Sequence, residues 1–120
     1  MSVKRGMTPK QVAELHYKLL MQKKKSQWLK TIRKDIRDQA ERYGSSPFFW
    51  WKTGRKRVDE QEFKYKYKRK DDRYSTEKRV KIFFHRLDKK GKPMGTGQVP
   101  VILMRDPNDH DEWRVDVSSW

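Results

Sequence analysis

Phe63-Lys64-Tyr65-Lys66-Tyr67-Lys68 is the stretch at which the hydrophobic pattern of the chain changes from a helical period to a period of two. Rings alternate with lysines, which gives a strand one aromatic face and one cationic face. Three more alternating stretches follow on the C-terminal side, Arg79 to Leu87, Gln98 to Arg105 and Glu112 to Ser119. Asp88-Lys89-Lys90-Gly91 and Asp106-Pro107-Asn108-Asp109 join them, and such short, turn-prone links favour an antiparallel meander. Val99, Val101 and Leu103 point one way while Ile102 and Met104 point the other. That strand is expected to be central and covered on both sides.

On the N-terminal side of the same stretch the period is helical. Thr8-Pro9-Lys10-Gln11 carries a capping hydroxyl, a proline at the first helical position and a capping-box glutamine. Met7 and Val12 have the spacing of a hydrophobic staple, and Val12, Leu15, His16, Leu19 and Leu20 form one core-facing stripe. Lys23, Lys24 and Lys25 close that helix with cations at its negative end. Ser26 is placed to cap a second helix, in which Trp28, Leu29, Ile32, Ile36, Ala40 and Tyr43 recur at the same period before Gly44 stops it. Residues 45–62 read as an aromatic and basic connecting segment, and its block Phe48-Phe49-Trp50-Trp51 is expected to be buried in the molecule or at a protein interface.

The expected fold is therefore α+β, with two N-terminal amphipathic helices packed on a curved antiparallel sheet of about four strands. One domain is expected for 120 residues: a basic N-terminal segment (1–7), two helices (8–44), the connecting segment (45–62) and the meander (63–120).

Composition narrows the function classes. The formal net charge is +15, and five Trp, five Tyr and five Phe argue for a packed core in spite of that charge. With no cysteine there is no disulfide framework and no thiolate chemistry. No window approaches the roughly 20 apolar residues of a membrane span, and Met1 to Gly6 lacks the apolar stretch of a secretory signal. A soluble protein without a membrane partner is expected, intracellular in the cytoplasm or held within a particle.

Thr8-Pro9-Lys10-Gln11-Val12-Ala13 with Tyr17 and Leu19-Leu20 resembles the first helix of nuclear transport factor 2-like domains, and Trp113-Arg114-Val115-Asp116-Val117 is similar to their last strand. The resemblance covers most of the chain as a pattern of elements. It implies a cone-shaped α+β fold, whose pocket between sheet and helices serves catalysis, ligand binding, dimerisation or partner docking in different members. It also implies a possible homodimer through the sheet, on a face carrying Phe83, Ile102 and Met104. The basic charge and the four rings of Phe48 to Trp51 depart from the usual pattern, because those rings are large enough to fill such a pocket.

Candidate chemistry inside the cone is thin. His16, His85 and Asp116 are the only groups comparable with the catalytic residues of the family, and His16 sits on the apolar stripe of its helix, where a hydrogen-bonded core histidine is the plainer reading. Asp116 alternates with Val115 and Val117 and is expected to salt-bridge a neighbouring strand. Asp106, Asp109, His110, Asp111 and Glu112 lack the glycine and terminal glutamate of a calcium loop, so they read as an acidic hairpin tip and no metal is expected. Gly91, Gly95 and Gly97 surround a turn with no helix after it, so no phosphate loop and no cofactor is expected.

The cations carry the sharper signal. Residues 1–58 have a net charge of +12, residues 59–97 of +6 and residues 98–120 of −3. This makes an electropositive body with a small acidic end. Lys23, Lys24, Lys25, Lys52, Arg55, Lys56 and Arg57 on one side, and Lys64, Lys66, Lys68, Arg69 and Lys70 on the first strand, are the expected polyanion contacts. Rings such as Trp50, Trp51, Tyr65 and Tyr67 would stack on bases wherever they are exposed, and no helix-turn-helix, zinc finger or RNA-recognition motif reads sequence. The expectation is a non-enzymatic structural subunit of a nucleoprotein or virion-like assembly. Its partners are other protein subunits together with nucleic-acid backbone or an acidic protein surface. The alternatives are a free-standing nucleic-acid-binding protein of no sequence preference, and a small-molecule enzyme or ligand carrier with an open cone.

Overall fold

Thr8 opens the first helix, α1 (Pro9–Met21), by the capping box read from its sequence. Its hydroxyl accepts from the Gln11 amide at 3.2 Å, and the Gln11 side chain accepts from the Thr8 amide at 2.9 Å. The architecture was obtained as a computed structural model, which describes residues 1–120 with the exception of the Thr96 side chain. After α1 come α2 (Lys25–Leu29), α3 (Lys34–Arg37) and α4 (Ser46–Glu60), then β1 (Lys64–Lys70), β2 (Arg79–Leu87), β3 (Pro93–Asp106) and β4 (Glu112–Val117). A 3₁₀ turn, Asp72–Tyr74, lies between β1 and β2.

The four strands form an antiparallel sheet in chain order, so the protein is α+β with its two long helices, α1 and α4, on the N-terminal side. Irregularities between Tyr67 and Arg69, His85 and Leu87, and Ile102 and Leu103 bend the sheet. Ile32 makes a parallel bridge to Val115, which adds a one-residue fifth member beyond β4. The inner face carries Tyr65, Ile82, Phe84, Val99, Val101, Leu103 and Val115, and Val12, Leu15, Leu19 and Leu20 of α1 close over them in one core. Alternation dictates this packing, since a residue shifted by one would turn each of these side chains to the other face.

Three expectations are corrected. The second helix does not run from Ser26 to Gly44; it breaks after Leu29. Thr31 and Arg33 exchange backbone hydrogen bonds with Val115 at 2.8 and 3.0 Å, and β-branched Thr31 and Ile32 suit that extended geometry better than a helix interior. The segment 45–62 is not a connection of loops, because Ser46–Glu60 is the longest helix of the chain, with Pro47 in its first turn. Pro47, Trp50, Trp51, Gly54 and Val58 supply its inward face at helical spacing. Finally, β3 is central but covered on one side only. Ile102 and Met104 are half-buried on the sheet face that lies opposite α1.

Gly54 explains how closely α4 can approach. A Cβ there would lie 2.6 Å from Leu20 Cδ1 and 2.9 Å from Trp120 Cδ2, both in side chains held in the core. On an exposed helix Gly→Ala stabilises by about 1 kcal/mol, whereas overpacking a core costs about 1–3 kcal/mol. Gly54→Ala is therefore expected to lower the urea midpoint, and an unchanged or higher midpoint would show that α4 does not pack this tightly.

Candidate polyanion interface

Three carboxylates near the end of the chain, Asp106, Asp109 and Asp116, are held by donors of the fold. Asp106 is fully buried and accepts from the amides of Lys34 at 2.8 Å and Asn108 at 3.0 Å. Asp109 lies between Arg37 at 3.0 Å and Arg114 at 2.8 Å, and Asp116 between Arg33 at 2.8 Å and Arg79 at 3.3 Å. Burial alone would push the Asp109 carboxyl up, but Arg114 and Arg37 outweigh it and hold the group below the usual carboxylate range. The acidic hairpin tip is thus a clamp on α3. His110 contacts Arg5 at 3.3 Å and Glu112 accepts from the Gly6 amide at 3.0 Å, so these residues turn to the N-terminal segment instead of converging on one point.

With those acids engaged, the expected polyanion contacts keep their charge. Of the twelve cations named from the sequence, and among the described residues, only Arg55 and Lys70 lie within ion-pair distance of a carboxylate, Asp59 and Asp72 respectively. The structure divides most of the set between two surfaces and removes two members from both: Lys70 lies across from the inner-face Ile82 and meets Asp72 at 3.5 Å, and Arg55 is drawn into the fold. Arg55 turns inward, donating to the carbonyls of Leu20 at 2.8 Å and Met21 at 3.2 Å, and so caps the C-terminus of α1.

The first surface is the open face of the sheet. Lys64, Lys66 and Lys68 project from β1 opposite Tyr65 and Tyr67, and the bulge after Tyr67 turns Arg69 onto the same face. The Arg69 guanidinium sits 4.6 Å from the Phe83 ring centre, and Lys81 lies 5.2 Å from Phe83 and 4.8 Å from Tyr74. Cation and ring alternate here, which fixes the direction of both charges. Lys68 reaches the Gln98 side chain at 2.6 Å. β1 is also the free edge of the sheet, where lysines discourage unwanted strand pairing, so part of this charge has a structural use.

The second surface is the outer side of α4. Phe49, Lys52, Thr53, Lys56, Arg57 and Gln61 line a groove of about 400 Å³. Arg57 donates to the Gln61 side chain at 3.3 Å and lies 5.9 Å from the Phe63 ring. Lys23, Lys24 and Lys25 follow the end of α1, beside α4, with the Lys25 ammonium 5.9 Å from the Trp51 ring. The block Phe48 to Trp51 is split by the helix. Trp50 and Trp51 pack against the core and Trp51 meets Trp28 at 5.1 Å, whereas Phe49 is 45% exposed. Phe48 and Phe49 meet Tyr43, 78% exposed, at 5.2 and 6.4 Å.

Sequence reasoning missed Tyr43, Tyr74 and Lys81 as surface groups. Tyr43 continued a helical stripe and was counted toward the core, and only the register between β1 and β2 brings Lys81 beside Arg69. Comparison of the chain with protein-family models, with curated proteins and with solved structures finds no match in any of the three.

The candidate catalytic groups do not meet. His85 is half-buried on the open sheet face, across from Lys66 and Gln98, and Asp116 is held by its two arginines. His16 is fully buried between the rings of Trp28 and Trp120, at 5.3 and 5.5 Å. Its Nδ1 lies 2.7 Å from the Thr31 hydroxyl and its Nε2 2.9 Å from that of Ser118. Thr31 donates its own proton to the Trp28 carbonyl at 2.6 Å, so Nδ1–H must donate to Thr31, leaving Nε2 to accept from Ser118.

Burial pushes the His16 pKa down from 6.5 to about 3. The unfolded chain takes up a proton at this residue near pH 6.5 and the folded chain does not until about pH 3, so His16 costs stability as the pH falls through that window. Between pH 6 and 4.5, above the range in which Asp109 titrates, unfolding free energy is expected to fall by about 1.4 kcal/mol per unit. Urea denaturation across that range measures the slope. His16→Gln should flatten it, and an equal slope in the variant would assign the acid sensitivity elsewhere.

Proposed function

We propose that this chain is a non-enzymatic basic docking module, a subunit of a larger nucleoprotein or virion-like assembly, whose cations lie against nucleic-acid backbone. The observation that carries the reading is the division of charge: carboxylates near the C-terminal end pair with Arg33, Arg37, Arg79 and Arg114, while Lys64, Lys66 and Lys68 of β1, Arg69, and Lys52 and Lys56 of α4 are left without an acidic partner among the described residues. A cation so placed holds counterions that a polyanion displaces, which makes binding favourable and salt-dependent.

The order of elements supports the cone-shaped reading as well. Helices followed by a bent antiparallel meander are what the resemblance to nuclear transport factor 2-like domains implies, although α4 stands where an irregular segment was expected, and the interior here holds Tyr17, Trp28, Tyr65 and Trp120. A ligand carrier would need that space empty. Self-association through the sheet is the weaker use of its open face, because a twofold axis there would bring Lys66, Arg69 and Lys81 toward their own copies.

Titration of a fluorescent 20-base-pair duplex with the protein tests the reading. Log affinity is expected to fall linearly with log salt, with a slope of about −0.9 for each phosphate neutralised. Lys66→Glu with Arg69→Glu should weaken binding at least tenfold and make the slope shallower. No binding at low salt to duplex, single strand or heparin would remove nucleic acid as the partner, and capture of polyglutamate in its place would point to an acidic protein.

A further inference from the structure

Tyr43 and Phe49 are exposed rings in a molecule whose other large side chains are mostly buried; Phe49 lines a cationic groove, and Tyr43 lies beside it at 6.4 Å. Gly44, with a φ of +87°, turns the chain between α3 and α4 and leaves Tyr43 projecting beside Phe48 and Phe49. From there α4 carries Lys52 and Lys56 one turn apart, about 6 Å along the helix at 1.5 Å per residue, with Arg57 adjacent. Ring and charge thus follow one another along one line on the surface.

We infer that this groove binds single-stranded nucleic acid, with bases stacked on Tyr43 and Phe49 and phosphates on Lys52, Lys56 and Arg57. The inference rests on the polyanion reading and adds to it a preference for unpaired bases. Exposed rings contribute nothing to a duplex held by its backbone, since its bases are already stacked on each other; they do add affinity for a strand whose π-faces are free. An acidic peptide would need an apolar hole for an anchoring side chain. Apart from Phe49, this groove is walled by Lys52, Thr53, Lys56, Arg57 and Gln61, which suit a charged backbone better. No residue in it reads base identity, so the strand is bound with little sequence preference.

Fluorescence anisotropy of labelled oligo(dT), a duplex of the same length and heparin, each titrated with the full-length chain at two salt concentrations, decides the matter. Single strand is expected to bind about tenfold more tightly than duplex, and Tyr43→Ala with Phe49→Ala to remove that preference while leaving duplex and heparin binding unchanged. Both residues are exposed, and an unaltered urea midpoint shows that the double variant is folded. Lys52→Glu with Lys56→Glu should weaken oligo(dT) binding by tenfold or more. Equal affinity for single strand and duplex, or a ring variant that loses affinity for heparin as well, overturns the stacking site while the polyanion reading stands. Failure of all three ligands to bind at low salt overturns both, and a preference for polyglutamate over oligo(dT) overturns the nucleic-acid assignment.

Discussion

The amide hydrogen bonds of Asp106 and the ion pairs of Asp109 and Asp116 hold the segment from Ile32 to Arg37 against β3 and β4, and the remaining electrostatics follow from that allocation. A buried carboxylate such as Asp106 is costly unless donors surround it, and the amides of Lys34 and Asn108 meet that need. Half-buried pairs such as Arg33 with Asp116 add less to stability than to geometry, because desolvation offsets much of their attraction. Their effect is to fix where the helical region crosses the last strand. They also draw Asp109 and Asp116 toward arginines of the fold and away from the lysines of β1 and α4.

The same crossing closes the core. Thr31, placed by its hydrogen bonds to Val115 and Trp28, accepts the Nδ1 proton of His16, and Ser118, just past β4, supplies the other ring nitrogen with its donor. Trp28 and Trp120 then stack on the two sides of the imidazole. A histidine satisfied at both nitrogens and sealed by two indoles is a structural group, which ties α1, α2 and the tail after β4 together. Its environment favours the neutral ring, and burial is the cause.

How much of this was legible in the sequence differs by element. The strands were readable because alternation is a local property: Arg79 to Leu87 was delimited as observed, and Lys64 and Lys66 lie on the face opposite Tyr65 as read, whereas the bulge that sets Lys70 across from the inner-face Ile82 left no mark in the alternation. The break after Leu29 was not, since Thr31 and Ile32 leave the helix to meet Val115, which is more than 80 residues away. α4 was hidden by its own composition. Four consecutive rings followed by cations have no clear apolar face until Gly54 shows where the helix touches Leu20 and Trp120. The same blindness affected the site, where Arg55 read as one more free cation because the carbonyls of Leu20 and Met21 that it caps belong to another helix. Tyr43 read as core because its helical phase is lost at the turn before α4.

The two cationic surfaces differ in how much order a ligand must impose. On the sheet, Arg69 and Lys81 are already directed by Phe83 and Tyr74, so phosphate binding there costs little side-chain freedom. Along α4, Lys52 and Lys56 are exposed and keep their rotamers until something engages them, and the fixed partners are the rings. A rigid charged face suits a rigid polyanion, whereas mobile charges beside exposed rings suit a flexible strand that adjusts to them. Both surfaces relieve the same strain, because a chain of net charge +15 repels itself and any bound polyanion reduces that repulsion. A ligand that binds only the folded state stabilises it by mass action, so recognition and stability here draw on a single charge balance.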